Sequence, residues 1–249
     1  MHNSYEGIVL KSINYSESDK IVHIFTKEIG KISCIAKGVR KSKKRDVNVD
    51  LFTHSYFQIY KGRGLYGVNQ SERIDSNFEI RENIEKLSYA SLVAEIADCG
   101  LPEEEDNEKV FELLAKTLKL FGEGSVDPRR LLVSYELKFI SFIGYKPELK
   151  RCAGCGSEEL SNICRFSNDA GGVLCDSCRG IDKYSKHISN SEHRAMYMLL
   201  YSRYEELKEL EIDEKELSKV QEIVHSYIKH HMERSNFKSL ELLRELKLI

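Results

Sequence analysis

The sequence has 249 residues, of which 31% are charged and 41% are hydrophobic, and its formal net charge is −2. This length suffices for one large or two modest domains with buried cores. No apolar run reaches the ~18 residues that span a bilayer, and the first residues lack the basic and apolar regions of a signal peptide. We therefore expect a cytoplasmic protein without a membrane segment.

Charge is distributed unevenly along the chain. Residues 1–80 carry 13 Lys or Arg against 9 Asp or Glu, whereas residues 81–249 carry 25 against 31. Such an asymmetry is typical of proteins with charged partners. The first part of the chain is therefore where we expect an anionic ligand.

Alternating, β-branched segments dominate the chain up to about residue 66. They lie at residues 7–11, 20–26, 31–36 and 54–60, separated by polar or glycine-containing breaks. This pattern predicts four or five short antiparallel strands. Because so short a sheet must protect its edges, we expect a small closed barrel, of the OB type first and of the SH3 type as the alternative.

Helical spacing replaces the alternation after residue 75. Apolar residues recur with the helical period at 87–97, 110–121, 195–199, 217–228 and 237–243. Asp127 and Pro128 supply an N-cap and a first-turn proline for a further helix that is apolar on nearly all sides and ends at Gly144. We predict an α+β multidomain protein, with an OB-fold barrel at 1–80 and a helical domain at 81–249.

Four cysteines form two CxxC pairs between residues 150 and 185, where helical periodicity is lost. The first pair is Cys152 and Cys155, and the second is Cys175 and Cys178. Nineteen residues lie between the two pairs, which is within the spacing expected of a zinc site. Four thiolates would close a tetrahedron around one structural zinc ion and leave no position for substrate. The alternative is unrelated thiols or a redox pair. We predict a zinc ribbon inserted at residues 150–185 of the helical domain.

No catalytic constellation emerges from the sequence. A zinc deaminase requires an H-x-E motif upstream of its CxxC pair, and the H-x-E motif at residues 231–233 lies downstream of both pairs. The GxGxxG sequence at 62–67 follows a strand but lacks the βαβ context of a dinucleotide site, so we interpret it as a hairpin with glycines at positive φ. We predict that the protein is not an enzyme.

A dense group of cations follows the third predicted strand. Because like charges repel, this segment is expected to form a flexible hairpin tip. It could contact nucleic-acid phosphates, or it could be a solvated loop that only aids solubility. Nearby aromatic residues at 56, 57, 60 and 66 favour the first interpretation. The predicted DNA-binding residues are Lys37, Arg40, Lys41, Lys43, Lys44 and Arg45.

Several segments together resemble the RecO family of bacterial DNA repair proteins. No single motif is diagnostic, but the set spans nearly the whole chain. The segments are EGIVLK (6–11), YSESDKI (15–21), FTKEIGK (25–31), AKGVRK (36–41), KGRGLY (61–66), IDS (74–76), FISFIGY (139–145), GGVLC (171–175), HHME (230–233) and FKSL (237–240).

The resemblance implies an N-terminal OB fold, a helical C-terminal domain and, in many members, a zinc ribbon. By position, residues 37–45 are similar to the family's basic OB loop, and Cys152, Cys155, Cys175 and Cys178 to its zinc ligands. It also implies a recombination mediator that binds single- and double-stranded DNA and anneals complementary strands. With RecR, such a mediator promotes loading of RecA onto DNA coated with single-strand binding protein.

The resemblance further implies that the helical domain docks single-strand binding protein, and the expected location is the cytoplasm, in association with the nucleoid. The alternative to a DNA-binding mediator is a zinc-containing protein-interaction module without a direct DNA function. Its basis is the acidic, tyrosine-rich second part of the chain, where apolar faces could accept a partner. The five histidines of that part are expected at the surface or on helix faces, not as ligands.

Overall fold

A computed structural model describes residues 3–41, 47–62, 64–160 and 164–249. The chain forms two compact units, the first comprising Met1–Glu123 and Lys238–Leu242 and the second Gly124–Phe237 and Leu243–Ile249. The domain boundary at residue 80 stays a prediction. None of the helices within the described ranges is long and apolar enough to cross a membrane.

Five strands in the first unit close into a barrel in the order β1-β2-β3-β5-β4, and β4 pairs back onto β1. This is the OB-type Greek-key barrel that the sequence predicts. The strands are β1 (Asn3–Asn14), β2 (Lys20–Thr26), β3 (Gly30–Ala36), β4 (His54–Tyr60) and β5 (Tyr66–Asp75).

One strand pair departs from the predicted antiparallel pattern. Strands β3 and β5 run parallel, with Cys34 opposite Tyr66 and Ile35 opposite Gly67. The other four pairs are antiparallel. A closed ring of five strands cannot alternate in direction throughout, so one parallel pair is a necessary consequence of closing the barrel.

The barrel interior is filled by alternate residues of its strands. Val22, Ile24, Ile32, Cys34 and Phe57 are fully buried there. Because successive side chains of a strand point to opposite faces, the intervening residues of β2 and β3 lie on the outer surface of the barrel.

Three helices follow the barrel within the first unit: α1 (Phe78–Arg81), α2 (Ile84–Gly100) and α3 (Glu108–Glu123). The side chain of Asn83 caps α2 by accepting the N–H of Lys86 at 3.1 Å. Phe111 of α3 packs edge to face on Phe25 of β2, with 5.6 Å between ring centroids. The helices therefore pack directly on the barrel surface.

The second unit is built around α4 (Pro128–Phe142), α5 (Asn190–Tyr201) and α6 (Glu214–His231), which pack on one another. The side chain of Asp127 accepts the N–H of Arg130 at 2.9 Å, so the predicted N-cap is confirmed. Gly144 follows α4 with φ of 103°, a left-handed conformation that ends a helix. Helix α7 (Lys238–Glu245) spans the division between the two units.

A small sheet interrupts the helices of the second unit between α4 and α5. Its strand order is β7-β6-β8, with β6 at Cys164–Ser167, β7 at Gly172–Leu174 and β8 at Lys186–Ile188. Gly172 lies so close to the chain at Glu148 that a Cβ atom would approach the Glu148 carbonyl oxygen to 2.3 Å. This close approach fixes the segment before the first cysteine pair against β7.

The glycine-rich segment between β4 and β5 is a hairpin connection, as predicted. The expected positive φ is wrong, because Gly62, Gly64 and Gly67 do not adopt it. A Cβ atom at Gly67 would instead lie 2.1 Å from the ring of Tyr60. Lack of space, not backbone conformation, explains the glycine at this position.

Candidate metal centre and nucleic-acid interface

The two predicted cysteine pairs come together in the second unit. The sulfur atoms of Cys152, Cys155, Cys175 and Cys178 all lie within 4.8 Å of one another. Cys155 and Cys175 have 3.8 Å between their sulfur atoms. A tetrahedron with metal–sulfur bonds of about 2.3 Å has sulfur–sulfur edges of about 3.8 Å, so the spacing is compatible with one metal ion.

Two tight turns present these thiols. After Cys152, the N–H of Gly156 donates to the Cys152 carbonyl at 2.8 Å, and Gly156 adopts a φ of 76°. After Cys175, a 3₁₀ turn over Asp176–Cys178 brings the fourth thiol back to the cluster. The two-residue spacing of each pair thus places both of its sulfur atoms on one side of a turn.

Backbone amides are directed at the sulfur of Cys152. Gly154 and Cys175 donate their N–H groups to it at 3.4 and 3.3 Å. Burial raises the pKa of this thiol, but these amides outweigh burial and lower the pKa to about 6. Burial and hydrogen bonds with the other three cysteines raise the pKa of Cys178 to about 12.

Because like charges repel, four thiols this close together cannot all ionise at low cost without a cation. A metal ion supplies that cation, since it binds thiolates and displaces their protons. Four sulfur donors suit zinc or an iron–sulfur centre rather than calcium or magnesium. The cluster therefore fits the group that the sequence predicts.

The basic segment begins at the end of β3 and is described up to residue 41. Lys43, Lys44 and Arg45 lie outside the described residues. The Arg40 guanidinium donates to the carbonyl oxygen of Ser16, and Lys41 Nζ lies 2.8 Å from Glu17 Oε2. The described part of the segment is thus held against the β1–β2 loop, while the expected flexible hairpin tip, which includes residues 43–45, stays a prediction.

Backbone bonds reinforce this attachment. The Asp19 carboxylate accepts the N–H of Gly38 at 2.8 Å, and Arg40 donates its N–H to the carbonyl oxygen of Ser18 at 3.0 Å. The Gly38 amide, together with the hydroxyl of Ser18, lowers the pKa of Asp19. The β1–β2 loop and the start of the basic segment therefore form one hydrogen-bonded surface at this end of the barrel.

Helices of the same unit cover part of the outer face of β2 and β3. His23 Nδ1 of β2 lies 2.6 Å from Asp98 Oδ1 of α2. Lys31 of β3 donates to the Asp98 backbone carbonyl, and Ser33 donates to Glu103 at 2.8 Å. OB folds commonly bind oligonucleotides on the face of strands 2 and 3, and here acidic residues of the chain itself occupy that face.

The aromatic residues singled out in the sequence have different environments. Phe57 is fully buried in the barrel core, whereas Tyr56 is 43% exposed. Tyr60 and Tyr66 line a cavity that also contains Glu28, Glu104 and Asp106. Of the four, Tyr56 is the exposed side chain and does not line this cavity, so it is the one best placed to stack on a base.

The strand order of the barrel places this chain in the class of OB-fold proteins. The chain also carries a helical unit with a four-cysteine ribbon. Residues 1–77 match the model for the Recombination protein O N terminal family, and residues 81–241 match the Recombination protein O C terminal family.

Similar proteins match this chain over nearly its whole length. DNA repair protein RecO of Alkaliphilus metalliredigens is 36% identical over 242 residues, which are 97% of this chain and 98% of that protein. DNA repair protein RecO of Thermoanaerobacter sp. is 34% identical, with 97% of each chain covered. The chain belongs to the RecO family, and this membership supports a role in DNA repair as a recombination mediator.

Proposed function

We propose that this protein binds single- and double-stranded DNA through its barrel and mediates recombination in the RecF pathway of DNA repair. The observation that carries the proposal is the surface formed by the β1–β2 loop and the basic segment. Phosphate contacts would come from Lys37, Arg40, Lys41, Lys43, Lys44 and Arg45.

Arg40 and Lys41 of this segment are held only lightly. Lys41 and Glu17 are 62% and 89% exposed, and exposed ion pairs contribute about 0–1 kcal/mol. Arg40 bonds to a neutral backbone carbonyl. Both side chains can therefore exchange their partners for phosphate oxygens at little cost.

The face of β2 and β3 that is covered by acidic residues also favours DNA binding at the β1–β2 loop and the basic segment. Asp98 and Glu103 would repel a phosphate backbone laid across those strands, whereas the loop end carries the cations. DNA is therefore expected at the loop end of the barrel. Neutralising the phosphates of two strands lowers their repulsion and permits complementary strands to anneal.

Annealing of this kind requires no catalytic group, so we propose a mediator and not an enzyme. In the RecO family, RecR and single-strand binding protein are the expected partners, and RecA is loaded as a result. We extend these partners to this chain as a proposal, together with a cytoplasmic, nucleoid-associated location.

We further propose that the four cysteines hold one zinc ion with a structural role. When bound, zinc supplies a closed tetrahedral cross-link and no open position for chemistry. Cys152, Cys155, Cys175 and Cys178 are its proposed ligands. They would tie the segment before β6 to the one after β7.

The test is fluorescence anisotropy of labelled single-stranded DNA over a range of salt concentrations, with zinc measured in the same preparation. We expect tight binding at low salt, a steep loss of affinity with salt, and one zinc per chain. Absence of binding at low salt would overturn the DNA-binding proposal and favour a protein-interaction module.

A further inference from the structure

The second unit contains a cavity of about 480 Å³ with a strongly cationic wall. Arg129 at the start of α4, Lys186 of β8, Lys229 of α6 and Arg244 of α7 all line it. Glu222 is the acidic side chain of the wall, and Lys219 lies 3.7 Å from its carboxylate. The cavity therefore has a large excess of positive charge.

These cations lack acidic partners among the described residues. No hydrogen bond or ion pair engages the side chains of Lys186, Lys229 and Arg244 there. Arg129 donates to neutral groups, the hydroxyl of Ser218 at 2.7 Å and the amide oxygen of Gln221 at 3.4 Å. Like charges gathered in one concave site raise the local potential and attract anions.

The floor of the cavity adds neutral polar groups. Gln221 is buried, and its Nε2 has no partner among the described residues. Ser226 contributes a hydroxyl group to the wall, whereas the hydroxyl of Ser218 donates to the Glu214 carbonyl oxygen at 2.8 Å. Guanidinium, ammonium, amide and hydroxyl donors together match the oxygen atoms of phosphate groups.

Two features favour a nucleic acid over an acidic peptide. Ile249 is the one apolar side chain among the lining residues, so charged and polar side chains make up the rest of the wall. Tyr184 stands two residues before Lys186 in the sequence, outside the lining residues, and is 77% exposed, with Lys183 Nζ 4.7 Å from its ring centroid. Such an exposed ring can stack on a base of a single strand.

We propose that this cavity binds phosphate groups of a nucleic-acid strand and gives the second unit a DNA contact of its own. The inference rests on the proposed DNA-binding function and extends it beyond the barrel. A protein that anneals two strands needs phosphate sites for both, and each unit would supply one.

The test compares the salt dependence of single-stranded DNA binding in two full-length triple variants. The cavity variant is Lys186→Gln, Lys229→Gln and Arg244→Gln. The control is Lys208→Gln, Lys215→Gln and Arg234→Gln, which removes three exposed charges outside the cavity. Each lost phosphate contact lowers the slope of log affinity against log salt by about 0.7. The slope of the cavity variant should therefore be smaller than that of the wild type by about 2, and the slope of the control should be unchanged.

The outcomes separate this inference from the proposed function. If the wild type binds and both variants keep its slope, the cavity contact is wrong while DNA binding by the barrel stands. If the wild type fails to bind at low salt, both proposals fail. If a labelled oligo-aspartate peptide binds the wild type and is lost only from the cavity variant, with the DNA slope unchanged, the cavity is a protein-docking site.

A second variant guards against misfolding of the triple substitution. Tyr184→Ala removes an exposed ring outside the cation cluster and should lower DNA affinity several-fold without changing the salt slope, because stacking on one base contributes about 1–3 kcal/mol. Unchanged affinity in Tyr184→Ala together with an unchanged slope in Lys229→Gln alone would overturn the proposal.

Discussion

Glu136 of α4 and His225 of α6 face each other inside the second unit, with 3.0 Å between Oε1 and Nε2. Their side chains are only 1% and 8% exposed. The other carboxylate oxygen, Glu136 Oε2, has no hydrogen-bond partner among the described residues. His225 therefore lies on a face of α6 that is buried against α4, and not at the surface.

This pair predicts a pH-dependent stability. Burial raises the pKa of Glu136, although the nearby His225 opposes the shift. A carboxyl group with a raised pKa in the folded state binds its proton more tightly there than in the unfolded state, so its contribution to stability is lost as pH rises through the folded pKa. The urea midpoint of the wild type should therefore fall relative to that of Glu136→Gln between pH 5 and pH 8. A wild-type midpoint that rises relative to that of Glu136→Gln over this pH range would contradict this account.

Asp98 in the first unit predicts a stability that depends on pH in the opposite direction. Burial raises the pKa of Asp98, but the hydrogen bond from His23 and the charge of Lys31 outweigh it and lower the pKa. The ionised Asp98 carboxylate therefore stabilises the folded state above the unfolded pKa of about 3.9. This stabilisation is lost as pH falls through the lower pKa of the folded state.

We expect Asp98→Asn to lower the free energy of unfolding by about 1–2 kcal/mol at pH 7. Urea unfolding at several pH values should show the wild type and the variant converging below pH 4. Equal stability at pH 7 would mean that Asp98 does not hold β2 and β3 to α2.

Loss of a cysteine ligand should affect metal content before DNA binding. In Cys175→Ser we expect zinc to fall well below one per chain, because a closed site needs all four thiolates. The thermal midpoint should drop by about 2–4 °C for each kcal/mol of lost stability. Cys99→Ser, a cysteine outside the cluster, is the control and should retain its zinc. Equal zinc in wild type and Cys175→Ser would refute the assignment.

Removal of the basic segment should weaken DNA binding. The variant Lys41→Ala, Lys43→Ala, Lys44→Ala and Arg45→Ala is expected to lose affinity and to lower the salt slope by up to about 3 for single-stranded DNA. A matched control removes four exposed helical cations at Lys109, Lys119, Lys208 and Lys215. If both variants show the wild-type slope in the anisotropy titration, the segment is only a solvated loop.

Gly30 should tolerate no side chain. Its φ is 76°, and a Cβ atom would lie 2.1 Å from the Glu105 carbonyl oxygen. Gly30→Ala is therefore expected to lower the free energy of unfolding by more than about 1 kcal/mol. Gly122→Ala in α3 meets nothing within 4 Å and should be neutral or stabilising by about 0.5–1 kcal/mol. Chemical denaturation of both variants measures the contrast, and a Gly30→Ala variant no less stable than Gly122→Ala would contradict the steric account.

Much of this architecture can be predicted from the sequence because it depends on local residue patterns. Alternation over 20–26 and 31–36 predicts β2 and β3, and the paired spacing of Cys152, Cys155, Cys175 and Cys178 predicts their cluster. Asp127 and Pro128 mark the start of α4 for the same reason. Each of these signals depends on residues a few positions apart, where periodicity and turn geometry act directly.

Other features join residues far apart in the sequence, and only the tertiary structure decides them. The barrel closes through a parallel pair because five strands cannot all alternate in direction. His23 meets Asp98 across 75 positions, and the cations of the cavity are spread from Arg129 to Arg244. The sequence by itself determined the strands, helices and cysteine turns, since hydrophobic periodicity and short-range spacing encode them. The covered barrel face, the buried Glu136 and His225 and the cationic cavity were decided by packing, because burial and charge concentration arise only when distant segments meet.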